Sequence, residues 1–79
     1  MNIETLPLAR LSHNKLAKII KIEGGHGLHN KLRVLGIREG KLIRIVSKQP
    51  LFGPITVAVG GNQITIGRGM AHKIIVEVK

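Results

Sequence analysis

The sequence has no cysteine, no aspartate, no tryptophan and no tyrosine among its 79 residues. Without cysteine it can form no disulfide, thiolate zinc site or iron–sulfur cluster, and it has no thiol nucleophile. Its four acidic residues are all glutamates, which argues against a paired-carboxylate active site or a carboxylate cage for calcium or magnesium. No serine or histidine lies in a recognisable catalytic motif. We therefore expect a protein that is not an enzyme.

Acidic charge is also scarce, because 13 lysines and arginines give a net charge of +9. Ten of these basic residues fall between Arg10 and Lys48. The excess predicts an anionic partner, which could be nucleic acid, an anionic membrane surface or an acidic protein face. A solvated surface that keeps a small domain soluble is the alternative.

Aromatic residues are limited to Phe52. This excludes the aromatic groove with which SH3 domains bind proline-rich peptides. It also argues against specific nucleic-acid recognition by base stacking, and leaves non-specific phosphate binding as an alternative. The uncharged segment 49–67 is interrupted by prolines and glycines, and the N-terminus lacks an apolar signal region. We therefore expect no membrane span and a cytoplasmic location.

Isoleucine and valine number eighteen against nine leucines, which favours strands because β-branched side chains pack well on a sheet. Alternating apolar residues predict five strands, over 16–23, 42–48, 55–59, 64–66 and 74–78. The adjacent Ile19 and Ile20 indicate a bulge or burial on both faces. Gly60-Gly61-Asn62 predicts a tight hairpin turn.

One segment has helical periodicity instead. Leu28, Leu32 and Leu35 predict a short helix over about 27–35, with Gly36 as its C-terminal cap. This helix would close one end of a barrel and present His29, Asn30 and Arg33 outward, with Lys31 on the flank. The fold class is therefore mostly β: a small SH3-like barrel of about five strands, with one short helix between strands 1 and 2, forming a single domain over 1–79.

Two histidines are the candidate metal ligands. His26 and His29 are three residues apart where the first strand meets the helix, and such a pair can bind a divalent ion such as ferrous iron or zinc. A complete site needs further ligands, so the pair could instead be adventitious. We expect no required cofactor.

Leu51 and Phe52 are the candidate apolar contact residues. They lie between Pro50 and Pro54, either as a lid folded onto the barrel or as an anchor for a partner, and the lid is favoured because a small core uses every apolar group. Arg38, Arg44 and Arg68 are further candidates, each able in principle to act as an arginine finger towards a partner's nucleotide.

Four short segments, taken together, resemble the FeoA family of ferrous iron transport proteins from about Leu8 to Val78. They are Ile22-Glu23-Gly24-Gly25, the helix and its exit at 32–40, the proline-bounded loop at 49–55, and Ala71-His72-Lys73-Ile74-Ile75-Val76. Asn14 stands where many members have glycine, and asparagine also tolerates the left-handed conformation.

The resemblance implies an SH3-like accessory protein that docks on the cytosolic part of the membrane iron transporter FeoB, which carries a nucleotide-binding G domain. It implies no catalytic residue, and a position at the inner face of the cell membrane. The residues themselves suggest the partner-binding set His29, Lys31, Arg33, Leu51 and Phe52. Two alternatives remain: a basic barrel that binds nucleic acid non-specifically, and a stand-alone relative of the C-terminal SH3-like domain of iron-dependent repressors.

Overall fold

The computed structural model describes residues 3–79, so Met1 and Asn2 of the predicted domain lie outside the described residues. Six strands and two short α-helices follow one another along the chain. They are β1 (Thr5–Pro7), a 3₁₀ turn (Leu8–Arg10), β2 (Leu16–Ile22), α1 (His26–Val34), β3 (Leu42–Lys48), β4 (Ile55–Val59), β5 (Asn62–Ile66), α2 (Arg68–His72) and β6 (Ile74–Val78).

The six strands form one antiparallel sheet in the order β1-β6-β2-β3-β4-β5. Alternate residues of the strands point inward, and the buried side chains of the whole sheet form a single core with those of the helices. On β4, for example, Ile55 and Val57 are completely buried, whereas Thr56 and Ala58, which alternate with them, are half-buried. The predicted mostly β, SH3-like class is confirmed.

A register shift between Ile19 and Lys21 marks a bulge in β2 where it pairs with β6. The bulge places Ile19 in the core and leaves Ile20 38% exposed. The adjacent isoleucines therefore do not face opposite buried layers, and the bulge predicted as one of two explanations is confirmed.

The strand count differs from the prediction because β1 pairs with β6 through only three residues. The structure therefore has six strands where about five were predicted, since β1 contains Pro7 and a single aliphatic residue, Leu6, and shows no apolar alternation. The second helix, α2, is five residues long, which is too short for a helical periodicity to show in the sequence.

Helix α1 closes the core less completely than the leucine stripe predicts. Leu32 is completely buried and Leu28 partly buried, but Leu35 is 36% exposed. The 3₁₀ turn and α2 pack against each other and bring Leu8 and Ala71 into the core with no exposed surface. The 3₁₀ turn and α2, neither of which was predicted, therefore help to close the core, a role that the prediction gave to α1 alone.

The predicted cap of α1 is present. Gly36 has a φ of 85°, its N–H donates to Arg33 O at 2.9 Å, and the N–H of Ile37 donates to Leu32 O at 2.9 Å. This pair of bonds is a Schellman motif, with Ile37 and Leu32 buried together beneath it. The helix therefore ends where the sequence predicts, and its last turn presents Arg33 at the surface.

None of the helices formed by residues 3–79 has the length and apolar character needed to cross a membrane.

Candidate functional site

The connection between β2 and α1 forms an open cleft of about 270 Å³. We call it the helix cleft, and it is lined by Gly24, Gly25, His26, His29 and Arg33. A Cβ on Gly24 would lie 2.5 Å from Leu28 Cδ2, so a larger residue there would require the Leu28 side chain to shift. The spacing of i, i+3 and i+7 places the two histidines and the arginine on one side of α1.

His26 and His29, the predicted metal ligands, both line the helix cleft. His26 is exposed and His29 half-buried. Within the described part of the chain, no third histidine or carboxylate joins them to form a group that could hold a metal ion. Two imidazoles are half of the donor set of a tetrahedral zinc site. A metal ion here would need ligands from another molecule, and the metal site stays a prediction.

The helix cleft has a cationic character. Arg33 lines it, Lys31 is exposed on the flank of the same helix, and α1 has no acidic residue in its first turn. A guanidinium group with two imidazoles nearby supplies several hydrogen-bond donors suited to a carboxylate. The arrangement therefore favours an acidic side chain of a partner over a free cation.

The second predicted site is the turn between β3 and β4, whose two central residues, Leu51 and Phe52, we call the loop tip. Gln49 N–H donates to Pro54 O at 3.0 Å and Gly53 N–H donates to Pro50 O at 3.1 Å. These bonds extend the hairpin beyond the strands and close it at the loop tip. Leu51 is 94% exposed and Phe52 is 87% exposed. The favoured prediction of a lid on the barrel is therefore wrong, because neither side chain folds back onto the core.

Both loop-tip residues have left-handed backbone conformations, with φ of 58° at Leu51 and 60° at Phe52. Two successive residues with positive φ are the pattern of a type I′ hairpin turn, in which asparagine and glycine are usual. Bulky apolar residues are rare there because Cβ crowds the following carbonyl. The loop tip is therefore a strained turn that presents two large apolar side chains to solvent.

Arg68 at the start of α2 holds the loop tip in place. Its Nε donates to Gly53 O at 3.2 Å and its Nη2 donates to Gln49 O at 3.3 Å. Its guanidinium carbon lies 5.9 Å from the centre of the Phe52 ring, within range of a cation–π contact. Arg68 is one of the three candidate arginine fingers, and its guanidinium group already binds carbonyl groups of its own chain.

Lys48 lies beside this arrangement, at the end of β3. Its Nζ donates to Ala9 O at 3.0 Å. Burial, and secondarily the nearby positive charge of Arg68, hold the pKa of Lys48 below its ordinary value of 10.5. Two cationic side chains are therefore placed close together at the base of the loop tip.

The structure does not bring the predicted partner-binding residues into one site. His29 and Arg33 line the helix cleft, whereas neither Leu51 nor Phe52 does. Residues of the loop between β2 and α1 make the first surface, and the turn between β3 and β4 makes the second.

Comparison with known proteins decides the family. The FeoA domain family matches residues 6–78. A protein of Methanocaldococcus jannaschii with a provisional name, Fe(2+) transport protein A, is 35% identical over 71 residues, which cover 90% of this chain and 84% of the relative.

The chain belongs to the FeoA domain family.

Solved structures agree with this assignment. A crystal structure of the iron uptake regulatory protein FeoA superimposes with a TM-score of 0.87 and 29% identity, covering 96% of this chain and 99% of that one. A manganese-dependent transcriptional repressor has a TM-score of 0.88 at 16% identity, covering all of this chain and 44% of the repressor. At that identity the repressor shows the fold alone, and the predicted relation to the SH3-like domains of metal-dependent repressors is confirmed at the level of the fold.

Sequence reasoning missed the role of Arg68 within this FeoA-family chain. It hydrogen-bonds carbonyls 15 and 19 residues away, and no local pattern encodes contacts at that separation. A signal was nevertheless present: two bulky residues between prolines predict a constrained turn, and a constrained turn requires neighbours that satisfy its carbonyl groups.

Proposed function

We propose that this protein is a non-enzymatic accessory protein of ferrous iron uptake, and that it docks in the cytoplasm on the cytosolic G domain of the transporter FeoB. Membership of the FeoA domain family supports the role in iron transport, as does the relative named Fe(2+) transport protein A. Ferrous iron is the cargo of the transporter in this proposal and need not bind this chain.

The observation that carries the docking proposal is the cationic side of α1. His29 and Arg33 share the helix cleft, and Lys31 and Arg33 are exposed. Among residues 3–79, neither Lys31 nor Arg33 forms a salt bridge, and an unpaired patch of one charge sign favours a partner with acidic side chains. The open shape of the helix cleft suits a protruding carboxylate better than a small molecule, which needs an enclosed site.

Charge reversal on α1 tests the proposal. Arg33→Glu is expected to weaken binding to the purified G domain of FeoB by about tenfold at physiological salt, since it replaces attraction by like-charge repulsion. The measurement is a calorimetric or fluorescence-anisotropy binding curve. Lys15→Glu is the matched control, because Lys15 is exposed just before β2, at the end of that strand away from the helix cleft, and the substitution makes the same change in net charge.

Equal weakening by both variants would show that net charge alone matters, and would remove α1 from the account. An absence of binding by the wild-type protein would contradict docking on the G domain altogether.

Non-specific binding of nucleic acid is the alternative function, favoured by the net charge of +9. It predicts affinity for any duplex, with a steep decline as salt rises. Wild-type protein that binds a duplex at physiological salt as tightly as it binds the G domain would favour this alternative.

A further inference from the structure

The loop tip is the most exposed apolar feature of the described chain, with Leu51 94% and Phe52 87% exposed. A chain with so small a core normally uses its large apolar side chains inside. The opposite arrangement here comes with a strained backbone at both residues. Exposure and strain at the same two positions call for a functional explanation.

The other end of β4 shows that the strain is not imposed by the topology. The turn from β4 to β5 also has two successive residues with positive φ, and there they are Gly60 and Gly61, at 57° and 83°. Glycine takes this conformation without steric cost. The same strand is thus bounded by one turn with the expected residues and one turn with leucine and phenylalanine in their place.

The backbone that flanks the loop tip, at residues 49, 50, 53 and 54, has few polar groups left to satisfy. Pro50 and Pro54 have no N–H, and Gly53 N–H bonds to Pro50 O. The carbonyls of Gln49 and Gly53 accept hydrogen bonds from Arg68. The flanking backbone can therefore approach a bilayer at low cost, whereas the N–H and C=O groups of Leu51 and Phe52, which form no hydrogen bond within residues 3–79, stay hydrated at the level of the headgroups.

The charges near the loop tip are of one sign. Lys48 and Arg68 lie at its base, and the segment from 40 to 76 contains no acidic residue. A convex apolar tip above cationic groups matches the chemistry of an anionic bilayer surface, in which acyl chains lie beneath negatively charged headgroups. A protein pocket, in contrast, would ordinarily offer directed hydrogen bonds, for which the loop tip has few groups.

We propose that the loop tip inserts into the interfacial region of an anionic lipid bilayer, with the side chains of Leu51 and Phe52 among the upper acyl chains and the positive charges of Lys48 and Arg68, which keep their hydrogen bonds to carbonyls of their own chain, facing the phosphates. This contact with lipid is separate from the docking of α1 on a protein partner. Two apolar side chains with a few basic groups give a reversible association, comparable to that of a single short lipid anchor.

A single tryptophan reports directly on the insertion. The chain has no tryptophan or tyrosine, so Phe52→Trp introduces its only strong fluorophore, at an exposed site where a larger ring does not disturb the core. With vesicles of phosphatidylglycerol and phosphatidylcholine, its emission is expected to shift to shorter wavelength and to be quenched by lipids brominated on the acyl chains.

Val34→Trp is the matched control, because Val34 is 86% exposed on α1. Its emission is expected to stay unshifted and unquenched on the same vesicles, even when the protein is bound by charge. Equal quenching at both positions, or an unchanged emission of Phe52→Trp on vesicles that bind the protein, would overturn the proposal.

A vesicle-sedimentation assay measures the contribution of the two side chains. The double variant Leu51→Ser, Phe52→Ser is expected to partition onto the anionic vesicles at least about tenfold less than wild type, since two large apolar side chains no longer leave water. Val34→Ser is expected to partition as wild type does. Identical partition of the double variant and the wild type would refute insertion.

A titration of Phe52→Trp with the purified G domain of FeoB, without lipid, distinguishes a protein pocket from a bilayer as the binding partner of the loop tip. A shift of Phe52→Trp emission with the G domain and none with vesicles would place the loop tip in a protein pocket and overturn the lipid proposal. A shift with vesicles alone supports it, whether or not α1 binds the G domain.

Discussion

Replacing Leu51 by asparagine and Phe52 by glycine is expected to make the protein more stable. Both residues have left-handed φ, of 58° and 60°, and this conformation costs ordinary residues about 1–2 kcal/mol each. Asparagine and glycine adopt it readily and are the usual pair in a type I′ turn. Relief of the strain at both positions therefore contributes about 2–4 kcal/mol to the free energy of unfolding.

Three smaller effects oppose this gain. Glycine adds conformational entropy to the unfolded chain, worth about 0.5–1 kcal/mol. Loss of the ring removes its contact with Arg68, 5.9 Å away, which at an exposed site is worth about 0.5–1 kcal/mol. Lost burial is minor, because the two side chains are 94% and 87% exposed. At the middle of these ranges the expected net gain is about 1.5 kcal/mol.

Thermal unfolding followed by circular dichroism measures the effect. For a chain of this size, a gain of that order raises the Tm by roughly 4–16 °C. The control is Leu51→Ala with Phe52→Ala, which removes the same side chains but keeps residues that resist positive φ, and its Tm is expected not to rise. A Tm of the Asn-Gly variant at or below that of wild type would refute the claim that the turn is strained. If the Asn-Gly variant is more stable than the wild type and no longer binds vesicles, Leu51 and Phe52 lower the stability of the fold and are required for binding to lipid.

Other substitutions test the rest of the fold. Asn14 has a φ of 64°, so Asn14→Ala should lower the free energy of unfolding by about 1 kcal/mol whereas Asn14→Gly should leave it nearly unchanged, as measured by urea denaturation. Leu32 is completely buried, so Leu32→Ala should lower the free energy of unfolding by about 2–5 kcal/mol in the same assay. Leu35 is 36% exposed, so Leu35→Ala should lower it clearly less. Arg68→Gln should raise the pKa of Lys48 towards 10.5 in an NMR titration of its side chain, without restoring it fully because burial is the larger cause. Because the pKa of Lys48 is lower in the folded than in the unfolded state, the free energy of unfolding of the wild type should rise with pH between the folded-state pKa and 10.5. Arg68→Gln raises the folded-state pKa, so the free energy of unfolding should rise over a narrower pH range.

The strands could be predicted where apolar residues recur at alternate positions, most clearly in β3, β4 and β6. The alternation in β3 and β4 gives their observed bounds, and the Gly60-Gly61 pair gives the turn that follows. β1 could not be predicted, because its three residues include Pro7 and it exists only through pairing with β6. Short strands of this kind are defined by their neighbour rather than by their own sequence.

The candidate sites were partly predictable for a similar reason. The helical spacing of His26, His29 and Arg33 is local, and the structure places all three in one cleft. The conformation of the loop tip was not predictable, because leucine and phenylalanine give no signal for positive φ. Its exposure depends on Arg68, which reaches the loop from α2 across the sequence.

The most direct test of the central claim, that the protein works by docking through α1, is an NMR titration of the isotopically labelled chain with the purified G domain of FeoB. If α1 docks on the G domain, the backbone amide signals of residues 24–33 shift or broaden as the complex forms, while those of the hairpin formed by β4 and β5 stay in place. Saturating G domain that leaves the signals of residues 24–33 unchanged, or that perturbs only those of the β4–β5 hairpin, would show that α1 is not the docking surface.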